Sequence, residues 1–307
     1  MTTRDGQRTL PRVLGAYADL EPLEGGWRLI VVDNGSTDAT AEILRSFSEK
    51  LPLTCLFEAR RGQNRGRNAG LDRIEGDLVV FTDDDAIPRR DWLAQIRRAA
   101  DANPGFAIFG GAILPRWESP PEDWVLRWVP QAAVFAITDP AWEEGPIRSS
   151  WVFSPNMAIR AAVFRDGHRF DERFGPREGS YPMGSETELT QRLTGAGLLS
   201  WHARKAIVEH VIRPYQMTQE WILSRAVRFG RGQYRLSSQR QRPRSILGVP
   251  VGPIRGILSS AGRLALAKRS GDPEATFRWR WNLRCSIGNA LEAGAILREG
   301  RSGQSRT

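Results

Sequence analysis

The sequence predicts an α/β fold: a doubly wound, mostly parallel sheet with helices on both faces, followed by a basic helical C-terminal extension. Three observations carry this. Over about the first two hundred residues, short β-branched runs alternate with helical stretches, the order that yields parallel strands joined by crossover helices. Aspartates close two of those runs, Asp33 and then Asp83, Asp84 and Asp85, at the sheet edge where ligands of such folds bind. Charge is also divided along the chain. From Arg213 onward 18 Lys and Arg face five Asp and Glu, a net of +13, whereas the residues before it carry a net of −4.

Residues 27–32 read as a buried strand and 37–47 as a helix with Ala41, Ile43, Leu44 and Phe47 on its apolar face. Ser36 or Thr37 supplies a cap, and Asp38 an anion for the first turn. Strands follow at 53–57, 78–82 and 106–114, with helices at 64–74 and 91–102 between them. The stretch 115–150 is different: it is rich in Pro and holds Trp117, Trp124, Trp128 and Trp142, with little periodicity. Long irregular segments inside a compact domain are usually functional or disordered, and this many tryptophans argue against disorder. Strand-like 151–153 and 157–159 come next, then a helix over 186–194 closed by Gly195 and Gly197, and a last strand at 207–210. From Met217 the pattern is helical to the end. Residues 245–267 are apolar, but Pro250, Pro253, Arg255 and Arg263 interrupt them, which excludes a spanning helix and leaves an interfacial amphipathic segment.

Composition narrows the class. Of 307 residues, 40% are hydrophobic and 26% charged, which suits a globular protein and excludes a disordered chain or a coiled coil. Cys55 and Cys285 are the only cysteines, so neither a disulfide framework nor a thiolate metal cluster is expected, and a reducing cytoplasm is the default compartment. The polar start lacks the apolar run of a signal peptide. The basic extension calls for an anionic partner. With no recognisable nucleic-acid module, an anionic membrane surface is expected, met by arginines together with Trp279 and Trp281.

Asp83, Asp84 and Asp85 directly follow an apolar strand. Like charges fixed together destabilise one another unless a cation neutralises them, and hard carboxylate oxygens suit Mg²⁺ or Mn²⁺ shared with substrate phosphates. The triplet does not stand alone. Val31-Val32-Asp33-Asn34-Gly35-Ser36-Thr37-Asp38 ends an earlier strand, and Arg67-Asn68-Ala69-Gly70 lies on the helix before the acidic strand. Ser154-Pro155-Asn156-Met157, Gly184-Ser185-Glu186-Thr187-Glu188-Leu189, Arg192-Leu193 and Val208-Glu209-His210 follow in order.

Together these resemble the family-2 glycosyltransferases of the GT-A fold over roughly residues 2–235. The resemblance implies an inverting transfer of sugar from a nucleoside-diphosphate sugar donor to a carbohydrate or lipid-linked hydroxyl acceptor. It places Asp33 on the nucleobase edge, Arg67 near the base and the aspartates, and Asp83 on the ribose. Asp84 and Asn156 are assigned to the donor site with them. Asp85 is implied as the carboxylate on the metal, Mg²⁺ or Mn²⁺, and His210 as a further ligand. Members usually carry Glu-Asp where this chain has Ser185-Glu186, so Glu186 takes the place of the general base with one extra methylene. Glu188, two residues on, points elsewhere and is expected to pack or pair.

The expected organisation is a GT-A-like domain over 1–214, nucleotide-binding to about 114 and acceptor-binding and catalytic over 115–214, followed by the extension at 215–307. Surface polysaccharide or glycolipid assembly, by a cytoplasmic protein peripheral to the inner face of the membrane, is the implied setting. A nucleotidyltransferase is the nearest enzymatic alternative, although no Gly-rich, Lys- or Arg-bearing loop follows the first strand; a catalytically decayed nucleotide-sugar-binding protein is the other. An NAD-linked oxidoreductase is disfavoured because no G-x-G-x-x-G opens a helix after a strand. In the matched family a further strand precedes this pattern. Thr2-Thr3-Arg4 aligns with its end and the rest has no counterpart, so a start upstream of Met1 is expected ahead of the alternatives, a sheet that closes in an unfamiliar way or a nonfunctional remnant.

Overall fold

The computed structural model describes residues 1–177, 181–240, 245–246 and 249–304. Parts of the basic extension, at 241–244, 247–248 and 305–307, therefore lie outside the described residues. The first elements are β1 (Thr2–Thr3), α1 (Leu10–Ala18), β2 (Leu29–Asp33), α2 (Thr40–Phe47), β3 (Leu53–Phe57) and α3 (Gln63–Leu71). Next come β4 (Leu78–Phe81), β5 (Ala86–Pro88), α4 (Trp92–Ala102) and β6 (Ile108–Trp117). The irregular stretch holds α5 (Asp123–Trp128), α6 (Gln131–Phe135) and β7 (Gly145–Ile147). Then follow β8 (Met157–Arg160), α7 (Ala161–Arg165), α8 (Ser185–Gly195), β9 (Ser200–Ile212) and α9 (Gln219–Arg240). The chain continues with β10 (Ser245–Ile246), β11 (Val249–Pro250), α10 (Val251–Arg269) and α11 (Pro273–Gln304).

The chain divides into two compact units. The first comprises Met1–Arg116, Phe135–Glu172 and Ser185–Ile212. Here β1, β2 and β3 pair in parallel, with Thr2 opposite Val32 and Val31 opposite Cys55. A second sheet runs in the order β4-β8-β6-β9-β5, and its β4–β8, β6–β8 and β5–β9 pairings are antiparallel. A parallel bridge between Thr2 and Asp83 joins the two sheets at their acidic edge. Both faces are covered. Leu10, Val13 and Leu14 of α1, Leu44 of α2 and Trp92 and Ile96 of α4 pack with Val31 on one side. Leu71 of α3, Phe164 of α7 and Leu189 and Leu193 of α8 pack with Phe81, Met157 and Ile159 on the other.

Two local expectations are corrected. Residues 151–153 are not a strand: Ser149–Trp151 is a 3₁₀ turn, held where Thr190 Oγ1 donates to the Ser149 carbonyl at 3.0 Å. Neither Ser36 nor Thr37 caps α2, which starts at Thr40 after Ala39. Their backbone N–H groups go instead to carboxylates, Ser36 to Asp33 at 2.9 Å and Thr37 to Asp5 at 2.8 Å.

The strand stub is the other notable feature. β1 is two residues long, and behind it, between β2 and β4, lies a cavity of about 300 Å³. Ile30, Val32, Leu78, Val80, Trp27 and Ile96 are among the side chains that line it.

The second unit comprises Trp117–Val134, Arg173–Gly184 and the chain from Arg213 onward. Its frame is α9, α10 and α11, with α5 against α11. Trp124 and Trp128 thus have a packing role: their rings lie 5.5 and 6.3 Å from that of Phe277. Helices α9 and α11 meet closely, since a Cβ on Gly230 would fall 2.0 Å from the Cys285 carbonyl oxygen. A buried ion-pair chain links them. Glu292, with no exposed surface, accepts from Arg231 at 2.8 Å and from Arg235, which also holds Glu299 at 2.8 Å. Trp281, expected at a membrane, is instead buried at 8% exposure, its ring 6.3 Å from that of Phe229. Among the described residues no helix is long and apolar enough to cross a membrane.

Candidate functional site

The carboxyl ends of β2 and β4 flank β1, with Asp33 opposite Thr3 and Asp83 bridged to Thr2. β2 ends at Asp33, and Gly35 at φ +77° lets the chain turn sharply, so that Asp33 Oδ1 caps the Ser36 N–H. Asn34 fixes the neighbouring loop. Its Nδ2 donates to the carbonyls of Glu58 and Arg60 at 2.9 Å each, and its Oδ1 accepts from the Gly62 N–H at 2.7 Å.

Each aspartate after β4 has a different neighbour. Arg67, rooted on α3 and buried, donates from Nη2 to Asp83 Oδ1 at 3.2 Å, with its guanidinium 5.2 Å from the centre of the Phe170 ring. Ser154 Oγ donates to Asp83 Oδ2 at 3.4 Å. Thr3 Oγ1 donates to Asp84 Oδ2 at 2.5 Å. Asp85 Oδ1 lies 3.3 Å from His210 Nε2 on β9. The three side chains are thus drawn to three separate elements, which spreads charges that would otherwise repel.

His210 is oriented from both sides. Its Nδ1–H donates to the Phe135 carbonyl at 2.6 Å, which leaves Nε2 directed at Asp85. Burial disfavours the charged ring, but the Asp85 carboxylate and the hydrogen bonds outweigh it and hold the His210 pKa above its ordinary value. Asp85 and His210 could hold a divalent cation that leaves further positions open: Nδ1–H is committed to Phe135, and a cation displacing the proton between Nε2 and Asp85 would find one ring nitrogen beside one carboxylate oxygen. Among the described residues no group of three His, Cys, Asp or Glu side chains could hold a metal ion, so a cation at this pair would take its remaining ligands from substrate or water.

Glu186 is half-buried in the first turn of α8, where the helix dipole favours an anion. Glu188 pairs as expected, with Arg192 Nε donating to its Oε1 at 2.8 Å. Asn156 requires correction. It is fully buried, accepting from Trp92 Nε1 at 2.9 Å and donating to the Ala112 and Ala206 carbonyls at 2.8 Å each. With those hydrogen bonds made inside the core it ties β6, β9 and α4 together and does not face a donor. Gly111 accommodates it, since a Cβ there would fall 2.2 Å from Asn156 Nδ2. Thr3, Ser154 and Phe170 had no assigned role. Ser154 stands inside a motif already visible in the sequence, whereas nothing local to Thr3 or Phe170 announces the contact each makes.

Residues 1–151 match the family model described as glycosyl transferase family 2. Glycosyltransferase AglE of Haloferax volcanii is 27% identical over 218 residues, covering 67% of this chain and 62% of that protein. The glucosyl-dolichyl phosphate glucuronosyltransferase of the same organism is 23% identical over 216 residues, covering 67% of this chain and 64% of its own length. The chain thus spans less than two thirds of the length of either relative. Among solved structures, the mannosyltransferase PcManGT from Pyrobaculum calidifontis, in complex with GDP-Man and Mn²⁺, superposes with a TM-score of 0.61 at 18% identity, over 94% of this chain and 85% of that one. Residues 1–151 thus carry the pattern of the family-2 glycosyltransferases, and the chain shares the GT-A fold along most of its length.

Proposed function

We propose that this chain is an inverting, metal-assisted glycosyltransferase that moves a sugar from a nucleoside-diphosphate donor to a hydroxyl of a carbohydrate or lipid-linked acceptor. The observation that carries the reading is the sharing of the acidic turn: Asp83 is paired with Arg67, while Asp85 faces His210. Asp33 accepts from the nucleobase edge, and Asp83, steadied by Arg67 and Ser154, accepts from the ribose. Asp84, held by Thr3, keeps the turn in place beneath the donor. Asp85 and His210 would hold Mg²⁺ or Mn²⁺, which when bound neutralises the negative charge that builds on the departing diphosphate. Glu186 takes the proton of the acceptor hydroxyl as its oxygen attacks the anomeric carbon from the face opposite the diphosphate. The bond to the diphosphate oxygen breaks and the configuration inverts. A lipid-linked acceptor is supported by the relative named for glucosyl-dolichyl phosphate, and Mn²⁺ by the cation in the mannosyltransferase complex. Such an acceptor places the protein peripherally on the inner face of a membrane.

Metal-dependent turnover of a panel of nucleoside-diphosphate sugars tests this. Release of nucleoside diphosphate that needs Mn²⁺ or Mg²⁺, for at least one sugar, is the expected result. Donor binding with no turnover for any sugar and acceptor would point instead to a nucleotide-sugar-binding protein, and absence of binding would overturn both.

A further inference from the structure

Helix α10 presents large apolar side chains to water. Its buried positions are the small or compact Pro253, Ser260 and Ala267, and Gly256 lies so near α11 that a Cβ would fall 3.0 Å from Ser286 Oγ. Ile257 and Leu264 are half-buried, but three further large apolar side chains point to solvent: Ile254 is 47% exposed, Leu258 68% and Leu266 68%. A helix at a protein–water boundary ordinarily buries its bulky apolar stripe. A cluster of exposed ones rimmed by charge marks a docking surface.

The charges on α10 itself have one sign. Arg255, Arg263, Lys268 and Arg269 are exposed on α10, and no acidic residue falls between 251 and 269. Arg263 lies 4.9 Å over the ring of Trp279, which carries the aromatic and basic surface onto α11, where Arg278 and Arg284 are also exposed. The combination selects the partner. Nucleic acid would answer the charge but offers nothing to Ile254, Leu258 and Leu266. A second copy of the same face would bring like charge against like. An anionic bilayer supplies acyl chains for the first set and phosphates for the second.

We propose that α10 lies in the headgroup layer of an anionic membrane, with Ile254, Leu258 and Leu266 among the acyl chains and Arg255, Lys268 and Arg269 on the lipid phosphates. The proposal stands on the second unit alone and does not depend on the transfer reaction. It replaces Trp281, which is buried, as the apolar contact.

The test is sedimentation of the full chain with phosphatidylcholine vesicles, with and without phosphatidylglycerol. Binding is expected only when phosphatidylglycerol is present, and it weakens as salt is raised. The triple variant I254S/L258S/L266S should keep the wild-type melting temperature, because the replaced side chains are exposed, yet partition at least about tenfold less. The double variant R255E/R269E should lose binding with the apolar stripe intact. The proposal is overturned if the triple variant sediments as the wild type does, or if neutral vesicles bind equally well. It is also overturned if the wild type binds nucleic acid but not vesicles. The same holds if the triple variant abolishes a self-association seen by analytical ultracentrifugation, which would make this face a contact between copies of the chain.

Discussion

His210 Nε2 stands 3.3 Å from Asp85 Oδ1, while the other nitrogen of the ring donates to the Phe135 carbonyl at 2.6 Å. The ring is held in one orientation before any ligand arrives, so under the proposed function a cation would meet a pair already aligned. Asp85→Ala should therefore abolish the thermodynamic linkage between Mn²⁺ and donor, and His210→Ala should weaken it by about 10- to 100-fold. Calorimetric titration of donor at several Mn²⁺ concentrations measures both, and unchanged linkage in Asp85→Ala would remove the metal from this pair.

Glu186→Gln keeps the shape of the side chain and removes the proton acceptor. Donor affinity should survive while transfer falls at least about 100-fold. Single-turnover kinetics with saturating donor separate the two. Full turnover in the variant would move the base to another carboxylate.

The second unit depends on the buried Glu292. Replacing it by Ala leaves Arg231 and Arg235 facing a buried gap, at a cost of about 3–5 kcal/mol. Denaturant unfolding should report a lower midpoint for the variant. A change below about 1 kcal/mol would mean that water or Glu299 already compensates those arginines.

His202 makes the first unit acid-sensitive. It is buried, donates to the Gly110 carbonyl at 3.0 Å and meets the Trp142 ring edge-on at 5.9 Å. Burial holds its pKa below the ordinary value. The unfolded chain therefore takes up the proton first. The neutral ring's contribution is complete above the unfolded pKa of about 6.5 and is lost as pH falls from there toward the folded value. The melting temperature should drop over that window, and less so in His202→Gln, as calorimetric scans across it would record.

Much of this was legible in the chain itself. The strand Leu53–Phe57 is read at its observed bounds, and Asp33 and Asp85 fall where apolar runs end, because period and punctuation are local signals. What escaped depends on distant partners. Asn156 sits in a motif that reads as donor-binding, yet its hydrogen bonds reach Trp92, Ala112 and Ala206, positions far along the chain. Trp151 belongs to a β-favouring run, but a turn stacks its ring on Trp142 at 4.7 Å instead. The outward face of α10 was hidden for the same reason, since only the packing of α11 shows which side of the helix is free.

The opening between β2 and β4 has a mechanical consequence. Thr2 with Asp83, and Thr3 with Asp84, stitch the two sheets at the acidic edge, while the cavity of about 300 Å³ separates them behind it. A seam fastened at one end should part from the other, so local opening of the first unit is expected to begin at the far end of the cavity. Under the proposed function a donor lying across Asp33 and Asp83 reaches both sheets at once. It then acts as a fastener for the fold as well as a substrate, and slower amide exchange along β2 and β4 is its signature.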